Sequence, residues 1–287
     1  MKKTVFAVIL AVSLILLVSC ATTEKGPVDL KPHAFTDIAT LPNFNIDVNT
    51  GEKITMVNAD TGSENTLDLF HANDLAAFEL DGKKYLLVGT LSDMTDRALL
   101  VLELVDAGDG KGFTQYRIAR KYAAVFNIMY DLSIYGVEVL SIDGHKVNLL
   151  VKSGMDFFTG TIDFDSTLAK LPFKKAFTIK GADVQIDGKT VTVSMNDYYQ
   201  QGYTLYNGKL YVPFTRIAKD LPHTIVFVYD YNSTESTRSP IMSETLMFQH
   251  PESTKFEIES FSFYNGKMYF STNCDSPVTD GFHYFEF

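Results

Sequence analysis

Residues 75–90 read LAAFELDGKKYLLVGT, which is a short apolar strand, a two-residue turn ending in glycine, and a second apolar strand. The same arrangement returns at residues 137–154, 182–197, 201–216 and 258–273. Asp-Gly and Asn-Gly favour the positive φ angles of a type I′ turn, whose twist matches that of antiparallel strands. The chain is therefore predicted to be built from repeated β-hairpins.

Aligning the five copies on their turn glycines shows two positions with a restricted choice of residue. Three residues after the glycine stand β-forming residues: Tyr85, Val147, Val191, Tyr211 and Tyr269. Six residues before it stand mostly very small ones: Ala76, Glu138, Ala182, Gly202 and Ser260. Small residues at the start of an inner strand suit a place where several strands crowd around an axis.

Several hairpins are followed by a third strand, and residues 224–231 are apolar on both faces, as in a sheet that is covered on both sides. These features predict an all-β domain that forms a β-propeller of about five blades, with six left open. A strand from residues 34–48 is expected to complete the last blade. A β-sandwich or a twisted open sheet is the competing architecture, and residues 114–132 are compatible with a short helix.

The first twenty residues, MKKTVFAVILAVSLILLVSC, join a basic start to an apolar run too short to span a bilayer. Their end, Leu17-Val18-Ser19-Cys20, resembles the lipobox of bacterial lipoproteins. That resemblance implies a signal peptide at residues 1–19 and a lipidated Cys20. Residues 20–33 are then a flexible tether, and residues 34–287 the domain. The expected location is the bacterial cell envelope, with the domain anchored to a membrane and facing the periplasm or the exterior.

The formal net charge of −10 argues against a nucleic acid partner, because phosphates require clustered Lys and Arg. The chain has two cysteines, and lipidation of Cys20 would leave Cys274 alone. No disulfide is therefore expected, and stability must come from packing.

No familiar catalytic or metal-binding spacing occurs, so no catalytic residue and no cofactor are predicted, and a structural cation is left open. Polar residues do precede the inner strands, where a propeller exposes the mouth of its channel: His71, Asn73, Asp74, Glu138, Asp183, Gln201, Glu257 and Glu259. Such a ring could hold a cation, a sugar or a peptide end. The alternative is that these residues cap local turns.

Tyr198 and Tyr199 lie beside Gln201 and are predicted to belong to the same binding surface. Abundant Tyr and Phe could provide a surface on which carbohydrate stacks. Packing between blades is the alternative explanation of the same composition.

Three stretches, HANDLAAF (71–78), QQGYTLYNGKLYV (200–212) and FEIESFSFYNGKMYFSTN (256–273), resemble the blade motifs of helveticin J-type proteins, a family of large bacteriocins. They are also similar to other five-bladed propellers of bacterial cell surfaces. The resemblance implies a surface-exposed propeller and identifies no catalytic residue.

Three functions follow as hypotheses. The first is a non-enzymatic envelope lipoprotein that presents a propeller to a glycan, a peptide or a protein, with the bilayer as its other partner. The second is a carboxylate-based glycan hydrolase or lyase that uses Asp74, Glu138, Asp183 or Glu259. The third is a bacteriocin-like activity, implied by the family resemblance.

Overall fold

The structure is a computed structural model that describes residues 27–40, 53–62, 64–68, 74–90, 99–108, 110, 113–126, 133–195, 197–216, 223–274 and 280–287. Over these residues the protein is all-β, as predicted, apart from one 3₁₀ turn at Met242–Glu244. The strands in chain order are β1 (Val28–Leu30), β2 (Thr36–Thr40), β3 (Lys53–Asn58), β4 (Glu64–Asp68), β5 (Asp74–Leu80), β6 (Lys83–Gly89), β7 (Leu99–Asp106), β8 (Phe113–Val125), β9 (Gly136–Asp143), β10 (Lys146–Ser153), β11 (Asp156–Asp163), β12 (Lys170–Pro172), β13 (Lys174–Ile179), β14 (Ala182–Ile186), β15 (Lys189–Val193), β16 (Tyr198–Gln200), β17 (Thr204–Tyr206), β18 (Lys209–Arg216), β19 (Thr224–Asp230), β20 (Thr237–Arg238), β21 (Leu246–Phe248), β22 (Phe256–Tyr264), β23 (Lys267–Cys274) and β24 (Gly281–Glu286).

These strands form five sheets, which we number in the order of their hairpins. Sheet I has the order β4-β3-β8-β7-β6-β5, with β12 paired to β8, and sheet II has the order β20-β13-β11-β10-β9. Sheet III is β1-β14-β15, sheet IV is β16-β18-β19-β21 with β17 on β18, and sheet V is β2-β24-β23-β22. Each of the five predicted hairpins thus contributes to a sheet of its own.

The turns explain why the hairpins form where the sequence predicts them. Both turn residues have positive φ in four of the hairpins, at Asp81-Gly82, Asp187-Gly188, Asn207-Gly208 and Asn265-Gly266. These pairs confirm the expected type I′ geometry. In the remaining hairpin, that of sheet II, Asp143 still belongs to the strand, and the turn residues are Gly144 and His145. Alignment on Gly144 therefore places this hairpin one residue out of register with the others.

Buried side chains pack between successive sheets. One core cluster joins sheets I and II, a second joins sheets II, III and IV, and a third joins sheets IV and V. Aromatic rings contribute much of this packing, for example Phe157 stacked on Phe177 with centroids 4.8 Å apart. Each fully buried aromatic or aliphatic side chain contributes roughly 1.5–3 kcal/mol relative to exposure. The domain thus has the side-chain packing from which its stability was expected to come in the absence of a disulfide.

The segment before the first hairpin is bound to the domain at two places. Val28–Leu30, inside the predicted tether, pairs in parallel with β14, and Leu30 lies in the core with 4 % of its surface exposed. The described part of the tether is therefore held by the domain, because Val28 and Leu30 supply apolar contacts to it. The predicted strand from residues 34–48 is confirmed as Thr36–Thr40, which pairs with β24 and completes sheet V.

Residues 113–125 form a strand of 13 residues instead of the short helix with which the sequence is compatible. Buried Tyr116 faces one side of sheet I, while Tyr122 and Ala124 belong to the core between sheets I and II. A register shift opposite Val101 and Leu102 separates the two parts of the strand. This bulge breaks the two-residue period and makes the stretch difficult to recognise as a strand.

Candidate functional site

Asp74, at the start of β5, is the centre of a buried polar cluster. Its carboxylate accepts hydrogen bonds from the backbone N–H groups of Leu75 and Val137, both at 3.0 Å, and of Tyr203 at 3.4 Å. These donors belong to sheets I and II and to the residue before β17 of sheet IV. One carboxylate therefore joins the starts of three inner strands, and we call the group Asp74, Glu138, Lys152, Gln201, Tyr203 and Glu257 the central cluster.

Glycine is required at two positions around this carboxylate. A Cβ atom on Gly136 would lie 2.4 Å from Cδ1 of Tyr203, and one on Gly202 would lie 2.7 Å from Cγ of Asp74. Both distances are far below van der Waals contact. The crowding that the small residues before the turns predict is thus found around Gly202.

Lys152 brings a second buried charge to the cluster from β10. Its side chain has no exposed surface, and its ammonium group donates to the backbone carbonyl of Gln201 at 3.0 Å. The same group lies 5.5 Å from the ring centroid of Tyr135. Burial lowers the pKa of Lys152 to about 7, and the nearby charge of Asp74 opposes that shift.

The two carboxyl groups of sheets I and II have raised pKa values. Burial raises the pKa of Asp74 to about 8, and Glu138 adds to the shift, while the backbone N–H donors oppose it. Burial raises the pKa of Glu138 to about 7, against the hydrogen bonds that it accepts from the N–H of Leu205 and the hydroxyl of Thr204, both at 3.4 Å. Protons are therefore held in this cluster up to neutral pH.

Gln201 extends the cluster to sheet V. Its Nε2 donates to Oε1 of Glu257 at 2.8 Å, and Oε2 of Glu257 lies 3.1 Å from the ammonium group of Lys255. Gln201 and Glu138 are half-buried, whereas Asp74, Lys152, Tyr203 and Glu257 are buried. The cluster thus has an inner part that holds the sheets together and an outer part with carboxylate and amide groups near solvent.

Of the predicted site residues, the structure brings together Asp74, Glu138, Gln201 and Glu257. Asp183 is exposed and accepts from the hydroxyl of Thr192 in its own hairpin, at 2.7 Å. Glu259 accepts from the side-chain amide of Asn273 at 3.0 Å, on the outer side of sheet V. The hydrogen bonds described for Asp183 and Glu259 are thus to residues outside the central cluster, and their place in the predicted ring stays a prediction.

A β-bulge explains the position of Glu259. The pairing of β22 with β23 shifts between Ile258 and Ser260, so that Glu259 is left out of the ladder. Glu257, before the bulge, keeps its place opposite Asn273 in the ladder, and its carboxylate is the one that reaches Gln201. Sequence alternation alone could not distinguish the two glutamates.

The predicted tyrosine pair does not form a binding surface at Tyr198, which is 1 % exposed and belongs to the core between sheets II, III and IV. Packing, the alternative explanation, is correct for this residue. Tyr199 lies in β16, and its side chain is outside the described part of the structure. Three further predicted site residues lie outside the described residues: Cys20, His71 and Asn73.

Lys152 and Tyr203 were not predicted to belong to the site. Lys152 stands in an apolar strand, VNLLVKSG, and a single lysine in such a strand is typical of a position that faces solvent. Tyr203 directly follows Gly202, and its hydroxyl donates to the carbonyl of Leu150 at 2.7 Å. Gly202 was the signal in the sequence that could have identified both residues. It stands between Gln201, whose carbonyl accepts from Lys152, and Tyr203.

Neither a metal site nor a membrane-spanning helix is found in the part of the chain that the structure describes. Within it, no three His, Cys, Asp or Glu side chains are grouped so that they could bind a metal ion. None of its elements is a helix with the length and apolar character needed to cross a bilayer. The side chains of the central cluster themselves offer carboxyl, amide, amine and hydroxyl groups.

A scan against known protein families finds no match, and a search of curated proteins finds none. The resemblance to helveticin J-type proteins thus gains no support from a family match. Two solved structures are similar at low identity. An exo-β-1,3-galactanase from Phanerochaete chrysosporium, solved with β-1,3-galactotriose, has 10 % identity and a TM-score of 0.41 over 81 % of this chain and 63 % of its own.

The β-propeller domain of Nup133 from Vanderwaltozyma polyspora has 9 % identity and a TM-score of 0.31, over 81 % of this chain and 64 % of its own. The chain spans less than two thirds of the length of either structure. Both likenesses are too distant to bear on function, which has to be argued from the site.

Proposed function

We propose that this chain is a membrane-anchored envelope lipoprotein whose domain is a β-propeller of about five blades and binds a polar ligand without catalysis. The ligand site is the outer part of the central cluster, formed by the half-buried Glu138 and Gln201, with the buried carboxylate of Glu257 bonded to Gln201. One observation carries the proposal: polar groups from sheets I, II, IV and V are joined through hydrogen bonds in one cluster.

The arrangement of the strands supports a propeller. Sheets I, II, IV and V each contain an antiparallel succession of strands that starts next to the cluster, at β5, β9, β17 or β22. A strand from the N-terminal side, β2, completes sheet V, as is expected when a propeller closes with strands from both ends of the domain. Five separate sheets are more than the two that a β-sandwich requires.

The groups on the outer part of the cluster define the class of ligand. Glu138 and Glu257 offer acceptors, and the amide of Gln201 offers both a donor and an acceptor. Ligands with several hydroxyl or amine groups, such as a glycan or the end of a peptide, match this set. Nucleic acid does not match it, because the protein is acidic.

The binding proposal is tested by thermal shift of the mature chain with a panel of neutral mono- and disaccharides and dipeptides. We expect at least one of them to raise the Tm of the wild type and not that of Gln201→Ala or Glu138→Gln. Asp183→Asn, on the exposed hairpin of sheet III, is the matched control and should respond as the wild type does. The proposal fails if no compound raises the Tm, or if both cluster variants keep the response.

The anchor is tested separately, with palmitate labelling and membrane fractionation of the full chain. Cys20→Ala should lose the label and move to the soluble fraction, because stable anchoring needs more than one acyl chain. A labelled, membrane-bound Cys20→Ala protein would refute the anchor and leave the ligand site untouched.

One observation favours a second candidate, a carboxylate-based glycan hydrolase. The pKa of Glu138 is raised to about 7 by burial, as a general acid requires, and Glu257 supplies another carboxylate in the same cluster. If the wild type releases reducing ends from a polysaccharide and Glu138→Gln does not, the protein is a glycan hydrolase and the proposal of binding without catalysis is wrong. The bacteriocin-like activity stays a prediction of the family resemblance.

A further inference from the structure

The outer face of sheet V carries four aromatic rings side by side. The ring centroid of Tyr269, in the middle of the group, lies 6.5 Å from that of Tyr264, 6.0 Å from that of Phe282 and 5.9 Å from that of Tyr284. The rings of Tyr269 and Phe282 are nearly parallel, at 23°. We call these four residues the Tyr269 platform.

The two-residue period of the strands produces this platform. Met268 and Phe270 face the core between sheets IV and V, so Tyr269 between them faces outward. Tyr269 pairs with Tyr284 across the ladder, and the next outward position on β24 is Phe282. Sheet V is therefore aromatic on both faces, although only one of them is buried.

The platform is exposed where comparable rings are buried. Tyr85 and Tyr211, which occupy the position of Tyr269 in their own hairpins, are each 6 % exposed because the next sheet packs on them. Tyr264 is 67 % exposed and Phe282 is 37 % exposed. An exposed aromatic group of this size on a surface marks an interaction site.

Sheet I does not provide the missing cover. Its face away from sheet II carries a separate cluster of buried side chains. That face is already covered, since Val88, Leu102 and Tyr116 are at most 3 % exposed. Whatever covers the Tyr269 platform is therefore not sheet I.

Hydroxyl and amide groups border the rings. The hydroxyl of Ser271 lies 3.1 Å from that of Ser260, and the amide of Asn273 donates to Glu259 at 3.0 Å. The outward-facing Ser262 pairs with Tyr269 across the ladder. Aromatic surface and small hydrogen-bonding groups thus alternate on one face.

The charges on the platform cancel locally. The ammonium group of Lys267 lies 2.5 Å from a carboxylate oxygen of Glu286 and 4.1 Å from the ring centroid of Tyr284. No cluster of basic residues accompanies the rings on the described strands of sheet V, and the chain as a whole carries −10. Anionic ligands and anionic lipid surfaces are disfavoured for this reason.

We infer that the Tyr269 platform is a second binding site and takes a neutral glycan. Sugar rings have an apolar C–H face that stacks on an aromatic ring and hydroxyl groups at their edge that match Ser262, Ser271 and Asn273. The exposed area decides against a second copy of the chain. Four partly exposed rings, at about 150–250 Å² each when whole, stay well below the roughly 800 Å² per partner of a stable interface.

The test uses three neutral trisaccharides as probes, the β-1,4-linked trimer of N-acetylglucosamine, cellotriose and maltotriose. Binding to the mature chain is measured by calorimetry and by tyrosine fluorescence, which the absence of Trp makes readable. We expect at least one probe to bind. The Kd should rise by roughly two- to tenfold for each ring removed in Tyr269→Ala and in the double variant with Tyr264→Ala.

Two control variants separate stacking from other effects. Tyr269→Phe keeps the ring and should keep the affinity. Leu168→Ala is the control for Tyr264→Ala, because Leu168 is 66 % exposed, Tyr264 is 67 % exposed, and Leu168 lies away from sheet V. Gln201→Ala should keep the part of trisaccharide binding that Tyr269→Ala loses, which distinguishes failure of this site from failure of the central cluster. The inference is overturned if no probe binds at millimolar concentration, or if Tyr269→Ala binds as tightly as the wild type does.

Discussion

Asp74→Asn tests whether the centre of the domain holds a neutral carboxyl group. In the folded protein the pKa of Asp74 is raised from 3.8 to about 8, and that of Glu138 from 4.5 to about 7. Between pH 5 and pH 7 the folded state therefore keeps two protons that the unfolded state has released. Stability must then fall as the pH rises, because protons bound by the folded state alone favour folding at low pH.

The magnitude follows from the number of protons. Each group lowers the free energy of unfolding by roughly 1.4 kcal/mol for each pH unit in this interval, and two groups by about twice as much. Asp74→Asn removes one titrating group and should halve the slope. Above pH 7 the lowered pKa of Lys152 acts in the opposite direction, since the folded state then binds fewer protons than the unfolded state. The wild type should be least stable near pH 7–8.

The assay is urea unfolding followed by tyrosine fluorescence and far-UV circular dichroism at pH 5, 6, 7 and 9. Asp183→Asn, at an exposed carboxylate, should retain the slope of the wild type. Equal m-values would exclude a change in the unfolded state. A wild type whose stability rises from pH 5 to pH 7 would refute the reasoning. Asp74 would then be ionised, with its three N–H donors and Lys152 outweighing its burial.

Three further changes test contacts between the elements. Gly202→Ala should lower the free energy of unfolding by about 1–3 kcal/mol in urea titrations, because its Cβ would lie 2.7 Å from Asp74; an unchanged midpoint would contradict the crowding. His145, whose ring nitrogens lie 3.1 Å from Asp81 and 2.8 Å from Asp165, has a raised pKa because of these carboxylates. Its contribution should be complete below pH 6.5 and lost as the pH rises through the raised value, so His145→Ala should differ from the wild type at pH 5.5 and not at pH 8.5. Asp37→Ala should cost about 1 kcal/mol and speed amide exchange in β2, because Asp37 pairs with the buried ring of His283 at 2.8 Å; unchanged exchange would show that the pair does not hold the strand.

The hairpins were predictable because their information is local. An Asp-Gly or Asn-Gly pair between apolar strands determines a turn by its own backbone preferences, and four of the five turns have the expected geometry. The exception, Gly144-His145, differs by one residue, which no local preference distinguishes. Thr36–Thr40 was predictable for another reason, since the propeller expected from the sequence needs a strand to complete its last sheet.

The membership of the central cluster was only partly predictable. Asp74, Glu138 and Gln201 stand directly before or at the start of inner strands, where the strand order brings them together. Of the two predicted glutamates on β22, Glu257 bonds to Gln201 and Glu259 lies at a bulge that depends on pairing with β23. Lys152 is buried because Gln201 and Asp74, distant in the sequence, provide partners for its charge. Such partners are fixed by tertiary contacts and leave no trace in strand periodicity.

The pairing of β2 with β24 has a consequence for the order of events during folding. Thr36 lies opposite Tyr284, so this ladder joins residues that are synthesised almost a whole domain apart. Contacts of such sequence separation form late, since a long loop must close before they stabilise anything. The edge of β2 therefore stays unpaired until β24 has been synthesised, and during that interval it can pair with a strand of another chain.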